Sequence, residues 1–384
     1  MRVLLLYPYL PSPDCHHGSA RLLSRLLEDL RPHAEITLIA GYRPREKALL
    51  PGVEALVHRL YPVLRPFAED LSPLARVGEA LATFRKLRSS PWPVPVQKLV
   101  RSGFREALAS ALQASPYDLF HVELAVMAPY VLDVPPHLPK VLVDHESLGE
   151  GVRYRHLFDR IYKEFHRVVT LCEEDREELL RLGATQTVAV RPPGIDVPPQ
   201  VTRRPEPGTV LFFGSPHHAP NADALEWISS EILPRLARLA PQLEFRCAGV
   251  DAGSRGARSL STSRCAKLLG FVDRIEDEID RAAVVLSPVR TGRGVRIKNL
   301  EAMSRGAPLV TTTLGAQGFA RRAEAACRVV DGPDAIAEAV ADLLAHPAEA
   351  ESMGARGREL IRRDFSRAEQ CRLTLGIWRE LLGS

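Results

Sequence analysis

Cysteine is sparse in this 384-residue chain: Cys15, Cys172, Cys247, Cys265, Cys327 and Cys371 stand far apart and form no C-x-x-C pair. That spacing suggests no zinc site and fits a reducing cytoplasm. Long apolar runs are missing as well, so a membrane span is not expected and any contact with a bilayer would be peripheral. The opening MRVLLLYPYLPSP has a short apolar run, cut by Pro8 and Pro11, with no small-residue cleavage site after it. It reads as a first buried strand rather than a leader. Charge of one sign is not in excess: a formal net charge of +4 over this length does not make nucleic acid the main partner.

What is present is the balance of an ordinary soluble protein, 45% hydrophobic and 26% charged. The length suits two domains better than one. Apolar strands alternate with amphipathic helices from end to end, the pattern of parallel sheets covered by helices on both faces. In the first half the expected strands are RVLLLYP, EITLIAG, DLFHVEL, KVLVDHE, RVVTLC and TVAVRP, with helices such as GSARLLSRLLEDL between them. The segment from Ala48 to Ser115 breaks this rhythm until PVQKLVRSGFREALASALQ and is expected to be an elaboration.

The proline-rich, charged GIDVPPQVTRRPEPG, 194–208, reads as a linker. After it come TVLFFG, the helix NADALEWISSEILPRLARLA, then LEFRCAG, KLLGFV, AVVLSPV, PLVTTT and CRVVD as strands. The expected organisation is a first Rossmann-like domain over 1–193, a second over 209–365, and a last helix over 366–384 that packs across the domain boundary. Doubly wound sheets place ligands at the carboxyl ends of their strands, so a cleft between the two domains is the expected site.

The stretch from Ser287 to Gly318, SPVRTGRGVRIKNLEAMSRGAPLVTTTLGAQG, carries the strongest chemical signal. A glycine-containing turn between a strand end and a helix presents backbone N–H groups and the positive end of a helix dipole, which together suit an anion. Lys298 and Glu301 are three residues apart, hence neighbours on one helix face, so a cation and a hydroxyl-accepting carboxylate can meet one ligand. A phosphate joined to a diol, as in a sugar nucleotide, satisfies both. A solvated Lys–Glu surface pair is the alternative.

GVRIKNLEAMSRGAPLVTTTLGAQG resembles the donor-site segment of family-4 glycosyltransferases, retaining enzymes of the GT-B fold with the pattern E(x7)E followed by A-M-x-x-G-x-P-V-V-x-T. FFGSPHHAPNADALEWI, LLGFVDRIEDEIDRAAVVLSPV and VVTLCEEDREELLRLGA resemble other parts of that family in the same order. The resemblance implies an α/β architecture of two doubly wound domains facing across a cleft. It also implies transfer of a sugar from a nucleotide-sugar donor to an acceptor hydroxyl (saccharide, lipid-linked or small molecule), in polysaccharide, glycolipid or other glycoconjugate synthesis.

By the same resemblance Glu301 accepts hydrogen bonds from the ribose hydroxyls. Gly292 and Gly294 lie where backbone faces sugar and diphosphate, Gly270, Phe271 and Val272 border the nucleobase, and Gly214 faces the phosphates. Two departures stand out. The first glutamate of the pattern is replaced by Arg293, which in that place is a catalytic candidate with Lys298 and Glu123, and the loop SPHHAPN after Gly214 lacks the usual arginine and lysine. Arg296 and Lys298 are therefore expected to supply the charge on the diphosphate, with Lys298 the better placed and Arg296 a candidate to anchor the loop instead. No D-x-D-like motif stands out and His16 and His17 lack a third ligand, so neither metal nor cofactor is expected.

On the acceptor side, Gly18 and Ser19 open a helix where the family has a glycine-rich loop; a plain helix start explains them almost as well. Glu123 occupies a place where many members carry histidine and could contact acceptor or sugar, or pair with an arginine. His145 and Glu146 in DHESL are further candidates, His145 with a buried, hydrogen-bonded role as its alternative. The helix expected over Leu71–Ser90 has an apolar face beside Arg76, Arg85, Lys86 and Arg88, which suits either the inner face of an anionic membrane or core packing. The expected location is cytoplasmic. A GT-B epimerase or phosphorylase, or a non-catalytic sugar-nucleotide-binding subunit, remain open as alternatives.

Overall fold

A computed structural model describes every residue except 16–17, 66–69, 71, 73–77, 79–90, 146–151, 255–256, 324 and 384. The helix expected over Leu71–Ser90, the pair His16–His17 and the candidate Glu146 thus lie, wholly or nearly so, outside the described residues. The chain forms two compact units: Met1–Gly194 together with Arg367–Ser384, and Ile195–Ser366.

The first unit is built on seven parallel strands: β1 (Arg2–Tyr7), β2 (Glu35–Tyr42), β3 (Arg59–Leu64), β4 (Leu119–Glu123), β5 (Lys140–Asp144), β6 (Arg167–Thr170) and β7 (Thr187–Val190). Their order is β3-β2-β1-β4-β5-β6-β7. In the central strands both faces are covered, so β1 is buried from Val3 to Tyr7 and β4 throughout, which is why they read as unbroken apolar runs. The helix Gly18–Leu30 turns Ala20, Leu23, Leu26, Leu27 and Leu30 inward at helical spacing.

β3 was hidden in the segment that broke the rhythm. Its Pro62 cannot donate to a ladder and argues against a central strand, but the strand lies at the sheet edge, where proline is tolerated. PVQKLVRSGFREALASALQ forms two helices, Val94–Leu99 and Ser102–Ala114. The final helix, Arg367–Leu382, packs on the Gly18–Leu30 helix: Arg367 Nε and Nη2 donate to Asp29 at 2.9 and 2.8 Å, and Cys371 Sγ lies 3.5 Å from the Asp29 carbonyl.

The second unit holds six parallel strands, β8 (Thr209–Phe213), β9 (Glu244–Ala248), β10 (Ala266–Gly270), β11 (Val284–Ser287), β12 (Leu309–Thr311) and β13 (Arg328–Val329), in the order β10-β9-β8-β11-β12-β13. The segment read as a linker is fastened along this unit. Ile195 N–H donates to the Phe365 carbonyl at 2.7 Å, Arg204 N–H to Asp280 at 3.0 Å, and Glu206 N–H to Arg281 at 2.8 Å. The long helix after β8 runs as Ala219–Trp227, a π turn over Ile228–Ile232, and Leu233–Leu239. Pro234, with no N–H and a ring that crowds the preceding turn, accounts for the widened turn there. Among the described residues, no helix is long and apolar enough to cross a membrane.

In each sheet the strand order reverses once, between β1 and β4 in the first unit and between β8 and β11 in the second. The loops leaving neighbouring strands at a reversal depart in opposite directions and open a crevice beyond the carboxyl ends. Most of the residues singled out by sequence lie near these two places, whereas Gly270, Phe271 and Val272 fall at the end of the edge strand β10.

Candidate functional site

In the second unit the crevice lies beyond β8 and β11. Gly214 ends β8 with φ +143, and a Cβ there would come within 2.7 Å of Asn221 Nδ2, so the position suits glycine alone. Asn221, in the first turn of the helix Ala219–Trp227, donates from Nδ2 to the Ser215 carbonyl at 3.0 Å. Its Oδ1 accepts from Lys298 Nζ at 2.9 Å. The same ammonium donates to the Phe213 carbonyl at 3.3 Å and lies 4.5 Å from the centre of the Phe212 ring. Lys298, on the helix Ile297–Ser304, thus reaches across the reversal to the β8 loop, whose SPHHAPN has neither arginine nor lysine. Burial, reinforced by the neighbouring Arg296 charge, pushes its pKa down from 10.5 to about 7.

The β11 loop is held shut from within. Gly292 (φ +95) sits so close that a Cβ would lie 2.9 Å from Pro220 Cγ, and Gly294 has φ +79. Arg296, the residue before the helix Ile297–Ser304, donates from Nη1 to the Arg293 carbonyl at 2.9 Å and from Nη2 to the Thr291 carbonyl at 3.2 Å. The guanidinium thus anchors the loop, the alternative that the sequence left beside a donor contact, because the turn leaves those two carbonyls without ladder partners. Arg293 itself is half-buried in that loop. Arg290, not singled out by sequence, pairs with Asp223 at 2.9 Å and covers the Trp227 ring at 4.5 Å, tying the loop to the helix after β8. The signal for Asn221 was its position in SPHHAPN, where only the missing cations drew attention.

Glu301 lies half-buried on the Ile297–Ser304 helix. The helix is pinned to the sheet by Asn299, whose Nδ2 donates to the Gly315 carbonyl at 2.8 Å and to Thr311 Oγ1 at 3.3 Å. At the end of β10, Gly270 (φ +63) exchanges backbone hydrogen bonds with Gly249 and Val250. The turn it makes leaves Phe271 85% exposed and Val272 half-buried. An aromatic ring that open is a standing offer of a flat apolar face.

In the first unit, Tyr7 at the end of β1 shares a 2.6 Å hydrogen bond with Ser19 Oγ, so Gly18 and Ser19 start their helix against the strand they follow. Glu123 ends β4 and is followed by Leu124 in the left-handed region at φ +81, a costly backbone for a leucine. Its carboxylate is 2% exposed and fully engaged: Oε1 accepts from Arg191 Nη2 at 2.7 Å and His145 Nε2 at 2.6 Å, Oε2 from His121 Nε2 at 2.7 Å. Trp378 Nε1, on the last helix, donates to His121 Nδ1 at 3.1 Å.

Of the two roles considered for Glu123, contact with acceptor or sugar and pairing with an arginine, the structure shows the second. Both oxygens face inward, and the arginine pairing is the one realised. Burial alone would raise its pKa, but the Arg191 guanidinium and the two imidazole N–H groups hold it well below the ordinary 4.5. His145 keeps 13% of its side chain in solvent. Arg191 and Trp378 were invisible to sequence reasoning, since they lie 68 and 255 residues from Glu123. His121 had a signal: in HVE it shares a strand face with Glu123. Among the described residues, no group of three His, Cys, Asp or Glu side chains is placed to hold a metal ion.

Two doubly wound parallel sheets, each with ligand-type loops at its strand reversal, define the GT-B class. The model of Glycosyltransferase Family 4 matches residues 17–198 and that of Glycosyl transferases group 1 matches residues 207–346. The chain belongs to this glycosyltransferase family and is an enzyme of that class. No curated protein matches it by sequence. Among solved structures it is similar to sucrose-phosphate synthase from Thermosynechococcus elongatus, at 15% identity and TM-score 0.74 with 100% of both chains covered. It is similar to Staphylococcus aureus TarM in complex with fondaparinux, alpha-GlcNAc-glycerol and UDP, at 10% identity and TM-score 0.72 with 100% of both chains covered. HepE from Anabaena in complex with UDP gives 13% identity and TM-score 0.69, covering 99% of this chain and 100% of that one.

Proposed function

We propose that this glycosyltransferase moves a sugar from a nucleotide diphosphate donor to an acceptor hydroxyl with retention at the anomeric carbon, and without a metal ion. The observation that carries this is Lys298, lodged between the two loops of the β8/β11 reversal with Asn221 and the Phe213 carbonyl as its partners. A diphosphate in that crevice meets one buried cation and the start of the Ile297–Ser304 helix. Glu301, further along the same helix, suits the ribose diol, and the open face of Phe271 suits the base. The UDP in the TarM and HepE complexes supports a nucleotide as the ligand class.

As the bond to the anomeric carbon breaks, negative charge collects on the leaving diphosphate. Lys298 and the oriented N–H groups stabilise that charge, and the diphosphate draws the acceptor proton on the face of attack. Little demand then falls on a separate strong base. The setting is the cytoplasm, for a saccharide, lipid-linked or small-molecule acceptor. A thermal-shift panel of nucleoside diphosphates and nucleotide sugars, run with and without a chelator, tests the reading. A selective rise in melting temperature that survives the chelator is expected. No stabilisation by any nucleotide, or stabilisation only with a divalent ion, would overturn it.

A further inference from the structure

The buried group at the ends of β4 and β5 has a logic of its own. Trp378 Nε1 can only donate, so His121 Nδ1, 3.1 Å away, must accept. The proton of a neutral His121 therefore sits on Nε2, which faces Glu123 Oε2 at 2.7 Å. Burial also favours the neutral ring. Glu123 is an acceptor only, and Arg191 Nη2 holds its other oxygen at 2.7 Å. His145 Nε2 meets that same oxygen at 2.6 Å and must carry a proton to do so. Thr374 Oγ1, on the last helix with Trp378, lies 3.4 Å from Arg191 Nη1. Both oxygens of Glu123 are held by donors, Oε1 by two and Oε2 by one, and rotation of the carboxylate would break at least two of these contacts at once.

We infer that Arg191, Glu123, His121 and Trp378 form a positioning device that locks His145 in the Nε2–H tautomer, so that Nδ1 is presented as the hydrogen-bond acceptor for a sugar hydroxyl. The inference rests on the glycosyl-transfer reading for its ligand, but not for its tautomer. The device explains why a buried carboxylate, which stabilises the fold poorly compared with apolar packing, stands at this strand end. It also gives the last helix a function beyond covering the sheet. Its Trp378 sets the ring of His121, which holds one oxygen of Glu123 while the other holds His145.

The test has two independent arms. In the first, two-bond nitrogen–proton correlation spectra of the ring-labelled full-length protein, at a pH where the rings are neutral, should show His145 as the Nε2–H tautomer. Trp378→Phe, which frees His121 Nδ1, should convert His121 to a mixture, and Glu123→Gln, which can turn an N–H toward His145, should do the same to His145. A wild-type Nδ1–H tautomer at His145, a His121 indifferent to Trp378→Phe, or a His145 indifferent to Glu123→Gln overturns the device whatever the ligand is. In the second arm the donor is the nucleotide sugar that most stabilises the wild-type protein. His145→Gln keeps an N–H toward Glu123 but has no acceptor at the Nδ1 position. It should bind donor within about threefold of wild type and lose turnover by about 10². His145→Asn, which restores an oxygen near Nδ1, should recover part of the loss. If His145→Gln slows donor hydrolysis as much as transfer, the hydroxyl is the donor's; if transfer alone falls, it is the acceptor's. Full turnover in His145→Gln overturns the inference. A failure of every nucleotide to bind overturns the transfer reading and leaves the first arm to decide the device.

Discussion

Replacing Lys298 by methionine isolates its charge while keeping most of its length. In the free protein burial leaves the Lys298 ammonium with a pKa of about 7 instead of 10.5. A diphosphate placed against it restores the charged form. Each unit charge at about 4 Å in a partly screened site is worth roughly 4 kcal/mol, or about three pKa units. Binding must then draw a proton from solvent: about 0.5 per donor bound at pH 7 and about 0.9 at pH 8. The sign is fixed by the depressed value, because the ligand-free site releases its proton as pH rises and the bound site does not. Donor affinity should therefore weaken about fiftyfold between pH 7 and pH 9. The intact nucleotide sugar is the ligand of choice, since its phosphates are diesters and do not titrate there, whereas a terminal phosphate has a pKa near 6. Calorimetry in two buffers of different ionisation enthalpy reads the proton uptake directly. Lys298→Met should bind more weakly and without uptake. Absence of uptake in wild type at pH 8, or equal uptake in the variant, refutes a diphosphate contact by Lys298.

Lys298→Ala should lower turnover by about 10² to 10³ with a smaller loss of donor affinity, the scale of one preorganised electrostatic contact, while Arg296→Ala does less. Steady-state kinetics on both variants checks the ranking, and a reversed order would show that the Arg296 guanidinium leaves the loop carbonyls to meet the donor. Glu301→Gln should weaken nucleoside diphosphate binding by about ten- to a hundredfold, since charge-assisted hydrogen bonds are worth roughly 1.5 to 3 kcal/mol; unchanged affinity in a folded variant removes Glu301 from the ribose. Phe271→Ala should cost about 1 to 3 kcal/mol of nucleotide affinity if a base stacks on the ring, with no change in melting temperature, because the side chain is already 85% exposed. Glu123→Gln should cost about 3 to 5 kcal/mol of stability by denaturant unfolding, as it leaves the buried Arg191 without its counter-charge. With its folded pKa held low, Glu123 contributes fully above its ordinary 4.5 and loses that contribution as pH falls further. Acid sensitivity should therefore be smaller in the Gln variant.

Sequence alone determined the layered architecture. Strands buried on both faces must be apolar throughout, and helices must show an apolar stripe, so periodicity revealed both sheets except for β3, whose edge position freed it from that constraint. The glycines at the strand-end turns of the second unit were legible for a similar reason. Gly214, Gly270, Gly292 and Gly294 all take positive φ, and no other residue adopts those turns without strain. The spacing of Lys298 and Glu301 was legible too, because helix geometry is local.

What sequence could not decide was which way long polar side chains turn. Arg296 and Lys298 are two residues apart in one basic run, yet one closes its own loop and the other crosses to β8. Only the strand order, which sets β8 beside β11, brings Asn221 within reach of Lys298. Glu123 was an open choice between ligand and ion pair until Arg191 was brought to it from β7's exit, and Trp378, on the last helix, to its neighbour His121. A local pattern records what each segment needs to bury. Electrostatic partners are chosen by topology, which places side chains hundreds of residues apart within 3 Å and so decides which charges are spent inside and which are left for a ligand.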